Sequence, residues 1–170
     1  MPLDAKALGD DLTALFEGRK GFPESTADAA KAWAKIYRDY AANGRAGTAA
    51  PLATGLDTAE TNLAKALDPI FTAARGGAAK TFATDLDAAF VAFWFTPPVQ
   101  FAAPPVTGAV TAAPPGVLGP ALATVFTAGA AAGSSAADQA KAVAAAIDTW
   151  TRTVIVTITP PVPPSPVPLT

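Results

Sequence analysis

The groupings of ionisable and nucleophilic side chains with a spacing that could support chemistry are few. Asp85 and Asp87 stand two apart, Asp10 and Asp11 are adjacent, and Asp148 and Arg152 are four apart. On a helix, residues two apart point to different sides, so Asp85 and Asp87 cannot share a proton or a metal ion. The adjacent pair reads as a solvated face. Asp148 and Arg152 fall on one helical face and read as a structural ion pair. The chain has no histidine and no cysteine. It therefore lacks the commonest general base, the commonest metal ligand and any thiolate nucleophile. Ser25, Ser134, Ser135 and Ser165 have no histidine to activate them, and no Ser–Lys spacing stands out. Gly76-Gly77-Ala78-Ala79-Lys80-Thr81 lacks the leading glycine of a phosphate loop and reads as a turn. The chain is read as non-enzymatic, with no catalytic, cofactor or metal site.

The elements that would position such groups follow from apolar spacing. Leu8, Leu12, Leu15 and Phe16 lie on one helical face, and Leu63, Leu67, Ile70 and Phe71 repeat the spacing, as do Leu118, Leu122, Val125 and Phe126. The period is about 55 residues. A second helix recurs as well: Ser25–Tyr37 (STADAAKAWAKIY) matches Ser135–Ile147 (SAADQAKAVAAAI), and the helix around Asp85–Phe90 takes that place in the middle unit. Trp94 before Pro104-Pro105 parallels Trp150 before Pro160-Pro161. The fold expected is mainly α, with three tandem helix-pair repeats, short β segments after the pairs, and a C-terminal polyproline arm. The units are about 1–50, 51–105 and 106–159, forming one domain over 1–159, with the arm at 160–170.

Along the chain, helices are expected over 3–17, from Ser25 or Thr26 to the Asn43-Gly44 stop, from Asp57, over 79–95, from Leu118 and over 136–150. Pro69 should kink the third helix or restart it. Pro120, in the first turn of its helix, is tolerated. Leu86, Phe90, Phe93 and Trp94 should be buried. Val106–Thr111 is β-prone, and Thr151–Thr159 (TRTVIVTIT) is the clearest strand, alternating β-branched residues with Thr and Arg. The ending PPVPPSPVPLT reads as a polyproline arm reaching about 30 Å at ~3.1 Å per residue.

Composition narrows the function. Half of the chain is hydrophobic, 15% is charged, and the net charge is −2. No basic field exists to attract nucleic acid or anionic lipid. The amino terminus carries acids and no apolar run, so no signal peptide is read there. Prolines at 97, 98, 104, 105, 114, 115 and 120 break the longest uncharged run, so no membrane span is expected. Of fourteen acids and twelve bases, Asp138, Asp148, Lys141 and Arg152 are the ones that follow Asp87. A free-standing surface normally carries far more charge than that. The low-charge C-terminal half is therefore expected to be covered by neighbouring protein subunits. The residues expected at that interface are Phe95, Phe101, Val154, Val156, Pro160, Pro161, Pro163, Pro164, Pro166 and Pro168. The partners would be other subunits of an assembly, with copies of the same chain as one option.

VFTAGAAAGSSAADQAKAVAAAIDTWTRTVIVTITPP (125–161) resembles small structural proteins of tailed phages and phage-tail-like particles, which are often Ala/Pro-rich. The resemblance covers the last third of the chain. It implies a virion or particle subunit made in the cytoplasm. Two other classes fit the composition: a secreted or cell-surface Ala/Pro-rich protein, and a helical carrier whose Phe/Trp cluster holds an apolar ligand.

Overall fold

A computed structural model gives the architecture and describes residues 3–19, 21–74, 78–159 and 165–170. The protein is mainly α-helical with a small antiparallel sheet. The helices are α1 (Ala5–Phe16), α2 (Thr26–Ala41), α3 (Ala53–Ala74), α4 (Ala79–Phe95), α5 (Leu118–Ala132) and α6 (Ala136–Thr151). The strands are β1 (Ala50–Pro51), β2 (Gln100–Ala103), β3 (Val106–Ala112), β4 (Ile155–Thr159) and β5 (Ser165–Pro168).

The helices begin where the sequence supplies caps. Asp4 accepts from the amides of Lys6 and Ala7 at the start of α1. Ser25 and Ser135 cap α2 and α6 in the same way, each accepting from the amide three residues on at 3.1 Å. Each serine hydroxyl also donates to the carboxylate of that residue, Asp28 or Asp138, at 2.7 Å. A fourth cap comes from a distance. No side chain of its own caps α5, and the buried Asp87 of α4 instead accepts from the amides of Gly116 and Leu118. Asp85, two residues earlier, faces solvent.

Three expectations about boundaries change. The third helix starts at Ala53 rather than Asp57 and runs unbroken through Pro69. Pro69 and Lys65 are both exposed, so water can reach the Lys65 carbonyl that proline leaves without a donor. The last helix takes Thr151, and the strand begins at Ile155. The Asp148–Arg152 pair and the bond from Arg152 N–H to Asp148 O hold that turn helical against the β-branched run.

Each helix packs on the next along the chain, and α6 returns to α1, closing a six-helix ring. The strands form a meander in the order β1-β2-β3-β4-β5, antiparallel throughout. Strands follow the C-terminal ends of α2, α4 and α6, so the sheet lies across that end of the ring. Burial on these three helices follows one spacing. Ala30, Trp33, Ala34, Tyr37, Tyr40 and Ala41 are buried on α2, and Ala140, Val143, Ala144, Ile147, Trp150 and Thr151 on α6. On α4 the same intervals are met by Ala83, Leu86, Asp87, Phe90, Phe93 and Trp94. Side chains from these helices fill the centre. Tyr37 meets Phe90 at 4.6 Å and Phe93 at 4.8 Å, both edge-on, and Phe90 meets Trp150 at 6.3 Å.

Candidate docking surface

Asp148, Arg152 and the two tyrosines have structural roles, whereas Asp11 and Asp85 are exposed. Arg152 grips Asp148 with two bonds, at 2.9 and 3.0 Å, and also donates to the Leu3 carbonyl. Tyr40 donates to the same carboxylate at 2.6 Å, joining α2 to α6 and to the amino-terminal segment. Burial pushes the Tyr37 and Tyr40 hydroxyls well above the ordinary phenol range. Among the described residues, every buried side-chain nitrogen or oxygen has a hydrogen-bond partner, and no cluster of three or more acidic residues could hold a metal. Of the glycine turn, residues 75–77 lie outside the described residues, and Lys80 and Thr81 belong to α4.

Charge is strongly segregated on the surface. Lys6–Asp10 on α1, Lys31–Asp28 and Lys35–Asp39 on α2, and Arg38 with Asp57 and Glu60 between α2 and α3 make one flank ionic. Helix α5 and all five strands contain no ionisable side chain. The exposed residues of α5 are Pro120, Ala121, Thr124, Thr127, Ala128, Ala130, Ala131 and Ala132. Exposed positions of the sheet include Gln100, Thr107, Thr111, Thr159, Pro166 and Pro168, and the Thr111 and Thr157 hydroxyls meet at 2.9 Å.

No family model matches the chain, and no curated protein or solved structure matches it.

The residues expected at an interface divide sharply. Phe101, Val154 and Val156 are in the core, at 1%, 0% and 0% exposure, and cannot meet a partner. For Phe101 and Val156 the cause is strand alternation, which turns them from β2 and β4 onto the end of the helical ring, where Phe101 stacks on Trp94 at 6.5 Å. Val154 enters the core from the turn before β4, its amide bonding Thr151 O. Phe95 is half-buried. Pro160, Pro161, Pro163 and Pro164 lie outside the described residues. Pro166 and Pro168 are exposed on β5.

The end of the expected arm is therefore a strand over Ser165–Pro168, paired with β4 in the register Ile158–Ser165 to Ile155–Pro168. Beyond it, Leu169 is 2% exposed, and its amide bonds Val154 O at 3.1 Å. Thr170 and Arg45 exchange backbone bonds at 3.0 Å in both directions. Without N–H groups, Pro166 and Pro168 fit only positions whose backbone turns away from β4. The outer edge of the sheet thus presents no N–H at either position, which blocks addition of a further strand. A signal for this was present in the sequence. Prolines alternate at 164, 166 and 168 with Ser165, Val167 and Leu169 between them, a period of two that suits an edge strand.

Phe90, Phe93 and Trp94, the aromatics expected to line a carrier pocket, are at most 1% exposed, and Tyr37 fills the space among them. A different aromatic set emerges. Phe16, Trp33, Phe71, Phe82 and Phe126 follow one another at centroid separations of 5.2–6.2 Å. An open depression of about 700 Å³ beside them is lined by Phe16, Trp33, Phe126 and Phe22, the last being 71% exposed. Phe16, Phe71 and Phe126 are the last residues of the three recurring apolar patterns, so their spacing was legible and their convergence was not.

Proposed function

We propose that the protein is a non-enzymatic assembly subunit of a larger protein particle, a phage virion or tail-like particle, and docks through the charge-free surface of α5 and the sheet. The observation that carries this reading is the absence of any ionisable side chain from α5 and all five strands, opposite an ionic flank on α1, α2 and α3. Burying small apolar and threonine side chains costs little desolvation, whereas burying the paired charges of the other flank would cost several kcal/mol per ion. The resemblance of residues 125–161 to phage structural proteins is what directs the reading to a virion or tail-like particle, assembled from chains made in the cytoplasm.

The same reading takes the body as three tandem helix pairs. Three features support it: the common burial spacing of α2, α4 and α6, the matched serine caps of α2 and α6, and the burial of the first two leucines in each recurring quartet. The burial spacing aligns Phe93 with Trp150 and Trp94 with Thr151, one residue from the tryptophan match suggested by sequence.

The test is to place charge on the proposed face. Thr124→Glu with Ala128→Lys on α5 should leave the circular dichroism and melting of the isolated chain unchanged. Both self-association in light scattering and recovery in purified particles should fall. A wild-type chain that stays monomeric at high concentration, with the charged variant recovered in particles as well as wild type, overturns the reading.

A further inference from the structure

We propose that β5 is an exchangeable strand, and that the subunit contact it makes is with a second copy of this chain, whose β4 receives it in place of that copy's own β5. This deepens the assembly reading and rests on it.

Three observations converge. First, the sheet cannot be extended from outside β5, because Pro166 and Pro168 leave its outer edge without N–H groups at those positions. Strand pairing between copies on this side of the sheet has to replace β5. Second, the seat that β5 occupies is made by both side-chain burial and main-chain bonds. Val167 faces the buried Val156, Leu169 is 2% exposed and bonds Val154 O, and Thr170 and Arg45 exchange two backbone bonds. A second copy brings the identical strand, so it can satisfy every one of those contacts. Third, β4 ends at Thr159 and β5 starts at Ser165 antiparallel to it, and the intervening sequence is Pro-Pro-Val-Pro-Pro. Tight reversals between antiparallel strands favour glycine, asparagine and aspartate, and none is present here. Proline runs favour extended chain. The local preference of 160–164 thus opposes return to the same chain and favours reaching another, which is how an unfavourable hinge promotes exchange.

The absence of cysteine makes a clean test in the full-length protein. Thr157 faces Pro166 in a pair that is not hydrogen-bonded, since proline has no N–H to give. Such pairs have Cα atoms about 4.5 Å apart, within disulfide reach. A Thr157→Cys chain and a Pro166→Cys chain are refolded together at high concentration and oxidised. Exchange predicts a disulfide-linked heterodimer, seen as a doubling of mass on a non-reducing gel, which neither variant forms alone. A chain carrying both substitutions reports closure on itself. If it closes as a monomer while the mixed single variants stay unlinked, exchange is overturned. A second variant replaces 160–164 with Gly-Asn-Gly-Ser-Gly and should reduce the linked heterodimer severalfold with β5 still docked. An unchanged yield overturns the hinge as the driver. Oligomers that assemble without the cross-link also reject exchange while leaving the charge-free docking face standing. A chain that neither cross-links nor assembles rejects both.

Discussion

The indole N–H of Trp94 donates to the Tyr37 hydroxyl at 2.9 Å, and that hydroxyl lies 3.0 Å from Thr151 Oγ1. The three residues come from α4, α2 and α6, so one small polar junction joins the three central helices in the core. Tyr37→Phe removes the shared partner and leaves two buried donors with nothing to bond. The expected cost is about 1–3 kcal/mol in urea unfolding. Adding Thr151→Val should recover part of it, because the second unpaired hydroxyl is gone.

Alkaline pH should destabilise the fold through the chain's two tyrosines. Burial raises both hydroxyls above their ordinary value of 10, and Asp148 raises Tyr40 further. As pH climbs past 10, the unfolded chain releases phenolic protons while the folded chain keeps them. The stabilisation is complete below that pH and declines above it, by about 1.4 kcal/mol per pH unit for each tyrosine. Urea midpoints measured between about pH 9 and pH 11 should fall accordingly, and Tyr37→Phe should halve the tyrosine part of the slope.

The matched caps of α2 and α6 should be worth similar amounts. Ser25→Ala and Ser135→Ala are each expected to cost about 1 kcal/mol, and the double variant should be additive because the caps share no partner. Asp87→Ala should cost more than either, since it frees two amides at once, those of Gly116 and the buried Leu118. Thermal melts of the four variants decide the ranking.

Two glycines should respond in opposite directions. A methyl at Gly108 in β3 would stand 3.0 Å from Thr157 O and 3.1 Å from Val156 Cγ1, so Gly108→Ala should destabilise by about 1–3 kcal/mol. A methyl at Gly9 in α1 would meet Ala144 and Lys141 at an ordinary 3.6 Å. Gly9→Ala should therefore stabilise, by about 0.5–1 kcal/mol, through helix propensity. Chemical denaturation separates the two signs directly.

Leu169→Ala tests the anchoring of the last strand. The side chain is 2% exposed and lies beside Gly44, yet it sits at the end of an edge strand. Detachment of β5 should precede global unfolding. Amide exchange should therefore rise at Val167 and Leu169 far more than at Tyr37 or Phe90.

The sequence by itself determined the helices, the helix pairs' internal periodicity and the apolar centre. These depend on residues three to seven apart and on single capping side chains, which is information held within one turn or two. It also determined the segregation of charge, since no packing can add charge to α5 or to the strands. Only the tertiary structure decided which apolar residues face inward at the sheet. Phe101, Val154 and Val156 suit an exposed docking strand as well as a buried one, because alternation alone leaves open which face meets the ring. The fate of the C-terminal prolines was likewise a tertiary matter. An isolated proline tract prefers an extended arm, and pairing with β4, with Leu169 seated in the core and Thr170 bonded to Arg45, turns 165–168 into the closing strand of the sheet. Local preference sets what a segment can do alone, and long-range partners set what it does in the fold.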